Sequence, residues 1–280
     1  MKKLLLPILI TLLSSFPART QPLYYVDFTG SVAKIVYTDN SKRDILDNAY
    51  IQCSYDFSYV KDTLESSVRP ATTTMKLLIG NDVSRFCSPI MLLMDSVAHN
   101  NIREAELEQR MAMSMPFADM SQTYKKHSEK KLLVTDLLSE THFMYEEPLE
   151  AQEWTITDEY REILGYECQK AECDFRGRRY IAWFTPEIAV SEGPWKFYGL
   201  PGLILSITDD KGHYGYEMTG IEMADDKPIL FARRDYIKTD RRTFLAALRR
   251  YREDPFLFSG YERPRIRPDI QYDLMERDYR

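Results

Sequence analysis

Motifs that usually accompany catalysis or cofactor binding are missing from this chain of 280 residues. A zinc hydrolase would show closely spaced histidines, but no H-x-H, H-E-x-x-H or H-x-x-x-H pair exists among His99, His127, His142 and His213. The G-x-S-x-G, G-x-G-x-x-G and G-x-x-x-x-G-K-[ST] motifs are absent as well. We therefore predict no catalytic residue, no metal and no cofactor, and we interpret each histidine as structural or exposed.

Glycine and long apolar runs are also scarce. The 11 glycines are outnumbered by 19 tyrosines and 13 phenylalanines, which is typical of a folded, aromatic-rich domain. Leu4–Leu13 is apolar but too short to span a bilayer comfortably. It follows Lys2 and Lys3 and precedes two small residues, Ala18 and Thr20, and this order predicts a signal peptide cleaved after Thr20.

An exported chain is a periplasmic or secreted protein, and nucleic acid is an improbable partner for it. No cysteine lies near the cleavage point, so we expect no N-terminal lipid anchor, and no later stretch is apolar enough for a transmembrane helix. The four cysteines could pair in three ways, among which the sequence does not choose, and their spacing does not resemble a zinc site. They are Cys53, Cys87, Cys168 and Cys173.

Acidic residues outnumber basic ones over most of the chain, but the balance reverses near its end. Without residues 1–20 the net charge is −9, whereas Arg233–Arg267 holds 11 basic and 5 acidic residues. This segment could contact a membrane surface or an acidic partner, although a solvated helix face is the simpler interpretation. We predict a signal peptide at 1–20, a single domain at 21–258 and a charged tail at 259–280.

Alternating apolar and polar residues predict strands in much of the domain. Tyr50–Val60 and Thr72–Gly80 are typical of strands, and Asp174–Arg178 is typical of a hairpin turn. Helical signals favour one helix with Ser88 as its N-cap and Pro89 at its first position, which ends before Pro116 and could be interrupted at Asn100–Asn101. A second helix is favoured from about Thr239. The segment WTITDEYREILG, before the strand at Tyr166, is interpreted as a short turn or helix.

Cations lie beside aromatic residues around one predicted strand, and such pairs can hold an anionic amphiphile, a glycan or a peptide. The candidate binding residues are Lys170, Arg178, Tyr180, Trp183, Trp195, Lys196 and Phe197. A strand with core aromatics on one face and solvated cations on the other produces the same pattern, and we favour that interpretation. Adjacent carboxylates such as Glu146–Glu147 do not by themselves indicate the paired acids of a glycosidase.

The segment GPWKFYGLPGLILSITDDKG, residues 193–212, combines turn residues with a strand. A phosphate-binding loop would lead into a helix, whereas LILSITDD alternates like a strand, which argues against phosphate binding. Gly–Pro and Pro–Gly pairs favour turns, so we predict that this loop sets backbone geometry. The residues concerned are Gly193, Pro194, Gly199, Leu200, Pro201, Gly202, Leu203 and Ile204.

The hexapeptide GLPGLI resembles the signature of the GLPGLI family, and the resemblance extends over about Tyr50–Ile221. The segments that carry it are MKLLIGNDVSRF, FMYEEPLEAQEWTI, GYECQKA, FRGRRYIAWFTPEI and GPWKFYGLPGLIL. The resemblance implies an exported protein of a Gram-negative bacterium, without an established activity or catalytic residues. We expect an α+β fold: a mostly antiparallel, strongly curved, half-barrel-like β-sheet with a few packed helices, by analogy with periplasmic lipoprotein carriers.

Three hypotheses about function follow. The leading one is a non-enzymatic, envelope-associated module that binds a lipid, a peptide or a surface component. The alternative is a periplasmic or secreted hydrolase of glycan or peptide, whose carboxylates are brought together only by folding. The third is a structural partner in an envelope assembly, which docks through Arg233–Arg267.

Overall fold

A computed structural model of the chain describes residues 25–27, 34–36, 41–60, 70–100, 120–138, 141–253 and 273–279. The predicted signal peptide lies outside these residues, as does most of the predicted tail. In the described part, strands account for 59% of the residues and two helices for 12%.

The helices are α1 (Pro89–Asn100) and α2 (Arg241–Glu253). The strands are β1 (Tyr25–Asp27), β2 (Lys34–Val36), β3 (Arg43–Tyr59), β4 (Ala71–Gly80), β5 (Val83–Cys87), β6 (Gln122–Lys126), β7 (Lys131–Leu138), β8 (Thr141–Pro148), β9 (Thr155–Ile163), β10 (Tyr166–Phe175), β11 (Arg178–Thr185), β12 (Leu203–Asp209), β13 (Tyr214–Ala232) and β14 (Ile237–Lys238).

Twelve of these strands form one sheet in the order β14-β8-β7-β6-β5-β4-β3-β13-β12-β11-β10-β9, and β1 pairs with β2 separately. Most neighbours are antiparallel, while β14 runs parallel to β8. The turn at Arg176–Gly177 joins β10 to β11 with positive φ at both residues, the backbone that a two-residue hairpin requires. The predicted hairpin at Asp174–Arg178 is thereby confirmed.

The expected α+β fold with a strongly curved half-barrel is wrong. The structure is mostly β, and its large sheet is neither closed nor strongly curled. Part of the error is Thr155–Ile163, which we interpreted as a turn or helix and which forms β9. Six of its nine residues are charged residues or threonines and nearly all are exposed, so the segment lacks the alternation that usually reveals a strand.

Both faces of the sheet are covered in places by buried side chains. Successive residues of a strand point to opposite faces, so Leu77 packs with Phe86 on the first face and Leu78 packs with Val83 on the second. Helix α2 covers part of the first face through Phe244, which packs on β7 and β8. Helix α1 covers part of the second face through apolar residues next to Cys87.

Candidate functional site

The loop at residues 193–202 is packed against the first face of the sheet. Phe197 and Leu200 are buried in the main core, and Leu203 and Ile204 begin β12 inside that core. At Gly202 a Cβ atom would lie 2.1 Å from the carbonyl oxygen of Thr185, so no larger residue fits there without a shift of the backbone. The geometry of this loop therefore depends on its glycines.

Lys125 of β6 anchors the loop. Its ammonium Nζ lies 2.6 Å from Oε2 of Glu192 and donates to the carbonyl oxygens of Gly193 at 2.8 Å and Phe197 at 2.9 Å. His127 reaches the other carboxylate oxygen of Glu192 through Nε2, at 2.6 Å. Burial alone would raise the pKa of Glu192, but attraction to Lys125 and hydrogen bonds from Lys125 and His127 lower it below its ordinary value.

Sequence reasoning missed this anchor. The sequence KKHSEKK around Lys125 and His127 is polar and dense in charge, which is typical of an exposed loop. Lys125 is nevertheless buried, and it lies 67 residues before Glu192 in the chain. The spacing of charged residues gives no signal for a contact between such distant positions.

Lys196, a predicted binding residue, lies in a second buried ion network. Its Nζ is 2.6 Å from Oε1 of Glu147 and 2.8 Å from Oε1 of Glu276. Arg176 and Arg241 pair with the remaining oxygens of these two carboxylates. The ammonium is therefore fully used inside the protein, and attraction to its partners raises its pKa despite burial.

Arg178 is used in the same way. Its Nη1 lies 2.7 Å from Oδ2 of Asp209 and its Nη2 lies 2.9 Å from Oδ2 of Asp273. It also donates to the backbone carbonyls of Leu274 and Met275, which fixes residues 273–279 to the sheet. This part of the predicted tail has neither helix nor strand, but buried ion pairs hold it in place.

The seven predicted binding residues do not converge on one site. Arg178, Tyr180, Lys196 and Phe197 are buried on the first face, and Trp195 packs beside them against Phe175 and Phe197. Lys170 and Trp183 are cross-strand partners on the second face. Arg161 stacks over Trp183 at 4.6 Å, and Lys170 pairs with Glu159 at 2.7 Å.

The end of the sheet at β9 is the most exposed apolar feature near the predicted residues. Strand β9 pairs with β10 on one side, and no described strand lies on its other side. Ile156 lies opposite Ala171, and Tyr160 lies opposite Gln169, so both belong to the same face; they are 44% and 55% exposed. Leu164, in the turn that follows, is 49% exposed.

The cysteine thiols and the potential metal ligands are not arranged as nucleophiles or as a metal site in the described part of the chain. All four cysteines are buried, and none of them is joined to another by a disulfide. Burial raises the pKa of Cys53 to about 12, of Cys173 to about 12 and of Cys168 to about 11, so these thiols are protonated at neutral pH. The described residues include no group of three or more His, Cys, Asp or Glu that could hold a metal ion.

The buried carboxylates of the described residues all pair with buried cations. They are Asp95 with Arg85, Glu192 with Lys125, Asp209 with Arg178, and Glu276 with Lys196. A hydrolase would need a carboxylate that faces a cleft and is free to exchange a proton. As for the membrane, none of the helices formed by described residues has the length and apolar character to cross one.

Comparison with known proteins gives one family match. Residues 176–206 match the family described as "Protein of unknown function (Porph_ging)". This stretch runs from the β10–β11 turn into β12 and contains the hexapeptide at Gly199–Ile204. The match covers a small part of the chain, and it does not confirm membership of the GLPGLI family. No curated protein matches the chain.

Two solved structures of PNGF-II are weakly similar to the chain. The structure in space group P21 has 17% sequence identity and a TM-score of 0.45, and the structure in space group C2 has 15% identity and a TM-score of 0.46. Each alignment covers 71% of this chain and 32% of the other. The chain thus spans about a third of the length of these proteins.

Proposed function

We propose that this chain is a non-enzymatic binding module, exported to the cell envelope, that binds an extended segment of a partner protein along β9. The exposure of β9 carries the proposal. An edge strand presents unpaired backbone N–H and C=O groups, and an incoming strand can complete them. Export rests on the pattern of residues 1–20, and membership of the GLPGLI family rests on Gly199–Ile204; both remain proposals.

Side chains along β9 define the chemistry of the partner. The exposed side chains of Ile156 and Tyr160 offer apolar contacts on one face of the edge. The strand also carries Asp158, Glu159 and Glu162 against one cation, Arg161, for a net charge of −2. A segment that alternates apolar residues with lysine or arginine matches this edge in both respects.

The same charges disfavour pairing between two copies of the chain. A second β9 would bring another net charge of −2, and like charges on facing strands are destabilising. Charged residues on an edge strand protect it from indiscriminate pairing. A partner must therefore supply complementary charge, which gives the edge its specificity.

The hydrolase hypothesis has less support. It requires buried carboxylates that converge in a cleft, whereas Glu147 and Glu276 converge on the buried ammonium of Lys196. Each of these carboxylates is engaged both by Lys196 and by an arginine. The docking role of Arg233–Arg267 remains a hypothesis, and residues 254–272 lie outside the described part.

A labelled nine-residue peptide that alternates lysine with valine tests the proposal, with a glutamate–valine peptide as the counterpart. We expect fluorescence polarisation to show micromolar binding of the lysine peptide and none of the glutamate peptide. Hydrogen exchange should show protection of the β9 amides. The double variant Asp158→Lys/Glu162→Lys should weaken binding at least tenfold, because it reverses the charge of the edge.

Asp210→Lys, in the exposed turn between β12 and β13, is the matched control and should bind like the unchanged protein. The proposal fails if Asp158→Lys/Glu162→Lys and Asp210→Lys bind the lysine peptide with the same affinity, or if exchange protection appears away from β9. Chromatography of the peptide after incubation separates the two hypotheses, because a cleaved peptide would identify a hydrolase.

A further inference from the structure

Lys227 of β13 has no carboxylate partner among the residues that the structure describes. The side chain is partly exposed, and its Nζ donates to the amide oxygen Oε1 of Gln52 at 2.8 Å. The amide nitrogen of Gln52 donates to Glu222, which fixes the orientation of the amide. The buried lysines Lys125 and Lys196, by contrast, each contact a carboxylate oxygen at 2.6 Å.

Lys76 of β4 is a second lysine of this kind, beside the first. Its Nζ donates to the hydroxyl oxygen of Ser54 at 2.5 Å, and it forms no ion pair with a carboxylate in the described part of the chain. Ser54 and Gln52 are two residues apart on β3, so their side chains lie on the same face, about 7 Å apart. Two amino groups held at neighbouring positions can engage one small anion together.

A bulge in β13 sets the position of Lys227. Residues 224–226 of β13 lie opposite residue 50 of β3, where a regular ladder would have one residue opposite one. Asp225 and Asp226 in this bulge have φ values of 46° and 60°, a conformation that is uncommon for residues other than glycine. Bulges re-aim side chains, and strained backbone of this kind is concentrated at functional sites.

The surroundings of Lys227 favour its neutral amine. Burial lowers the pKa of Lys227, and the positive charges of Lys76 and Arg85 lower it further, while Cys87 and Glu222 act in the opposite direction. A neutral lysine amine is a nucleophile, and lysines that are desolvated or next to another cation form imines with carbonyl compounds. The amine and the neighbouring ammonium of Lys76 therefore suit a molecule with both a carbonyl group and a negative charge.

We propose that Lys227 forms an imine with small α-oxo acids, and that Lys76 binds their carboxylate. The nitrogen Nζ bonds to the carbonyl carbon, and one proton passes from the nitrogen to the carbonyl oxygen. The resulting hydroxyl takes up a second proton and leaves as water, while the nitrogen releases its last proton to solvent and its lone pair completes the C=N bond. The step needs no oxidant or reductant. The site is separate from β9, so either proposal can fail without the other.

Reductive trapping on the full chain tests the proposal, with glyoxylate as the probe and glycolaldehyde as its uncharged counterpart. Cyanoborohydride reduces each imine to a stable amine, and peptide mass spectrometry measures the label at each lysine. With glyoxylate, we expect Lys227 to be labelled at least about threefold faster than Lys211, which lies in an exposed turn. With glycolaldehyde the difference should be smaller, because this probe has no carboxylate for Lys76 to bind.

The variant Lys76→Gln tests the carboxylate partner. At Lys227, the ratio of the glyoxylate rate to the glycolaldehyde rate should fall about threefold, because the charge-assisted bond to the carboxylate is lost. The ratio is the readout, since removal of a neighbouring positive charge changes the amine of Lys227 toward both probes alike. Lys211→Gln is the matched control and should leave the ratio unchanged.

Thermal unfolding shows whether Lys76→Gln remains folded, and the comparison of Lys227 with Lys211 in the unchanged protein needs no variant. Labelling of Lys227 no faster than that of Lys211 would overturn the proposal. So would equal labelling of Lys227 by the two probes relative to Lys211, or an unchanged ratio in folded Lys76→Gln.

Discussion

The two ends of the twelve-stranded sheet differ in the burial and pairing of their charged residues. Near β14, Glu147 of β8 and Glu276 of the C-terminal segment are enclosed and paired with Lys196, Arg176 and Arg241. At the other end, β9 is exposed along most of its length, and its acids are exposed as well, with Glu159 paired to Lys170 at the surface. Buried pairs fix the conformation of the first end, whereas the second end keeps the free backbone and side chains that a partner can use.

Breaking the buried network should have the largest effect on stability. Lys196→Met keeps the length of the side chain but leaves Glu147 and Glu276 without their shared ammonium. We expect the free energy of unfolding to fall by about 3–5 kcal/mol, because removal of one partner leaves buried charge uncompensated. Urea unfolding followed by tryptophan fluorescence measures the change.

Lys211→Met, in an exposed turn, is the control for that variant. It removes a lysine of the same size that has no buried partner, so it should change the unfolding free energy by about 0.5 kcal/mol or less. Similar losses in the two variants would show that the network near β14 is not the stabilising feature we describe.

Acid should have the next largest effect on the free energy of unfolding. The pKa values of Glu192, Asp273 and Asp278 are lowered in the folded protein. In each case burial raises the pKa, whereas hydrogen bonds and attraction from neighbouring cations lower it by more. The main cation is Lys125 for Glu192, Arg277 for Asp273 and Arg241 for Asp278. A lowered folded pKa means stabilisation that is complete above the unfolded values of 4.5 and 3.8 and is lost as pH falls through the folded values.

We therefore expect the unfolding free energy to be steady near neutral pH and to fall below about pH 4.5. In Glu192→Gln the drop in unfolding free energy between pH 5 and pH 3 should be smaller by about 1 kcal/mol, because the glutamine side chain does not titrate. Urea unfolding at a series of pH values measures both curves. Parallel curves for the variant and the unchanged protein would contradict the role given to Glu192.

The smallest effect on stability is expected at β9. Tyr160→Ser removes an exposed ring, so the unfolding free energy should change by about 0.5 kcal/mol or less. The same variant should weaken binding of the lysine–valine peptide, since the ring supplies apolar contact at the edge. A large loss of stability would mean that Tyr160 packs inside the protein and that the two ends do not differ as described.

Part of this structure could be predicted from the sequence. The alternation in Tyr50–Val60 identified a segment of β3, and Pro89 marked the start of α1. Glycine next to proline indicated turns in the loop before β12. These predictions succeed because each depends on residues close together in the chain, whose backbone preferences and alternation are local.

The rest could not be predicted, for physical reasons that particular residues show. In the sequence, Lys196 and Arg178 are cations close to aromatic residues, as in a binding site. Folding, however, places carboxylates from β8, β12 and the C-terminal segment against them. Strand β9 was missed because an exposed edge needs no apolar alternation. Gln122 and Thr135, 13 residues apart, become neighbours only through the register of β6 and β7.

By itself, the sequence determined where the strands alternate, where the chain must turn, and that no familiar catalytic motif is present. The tertiary structure decided which charges are neutralised inside the protein and which strand is left at the edge of the sheet. Local geometry follows from neighbouring residues, whereas burial and charge pairing depend on segments that are distant in the chain. The binding surface that we propose therefore lies at β9, away from the aromatic and cationic cluster that the composition favoured.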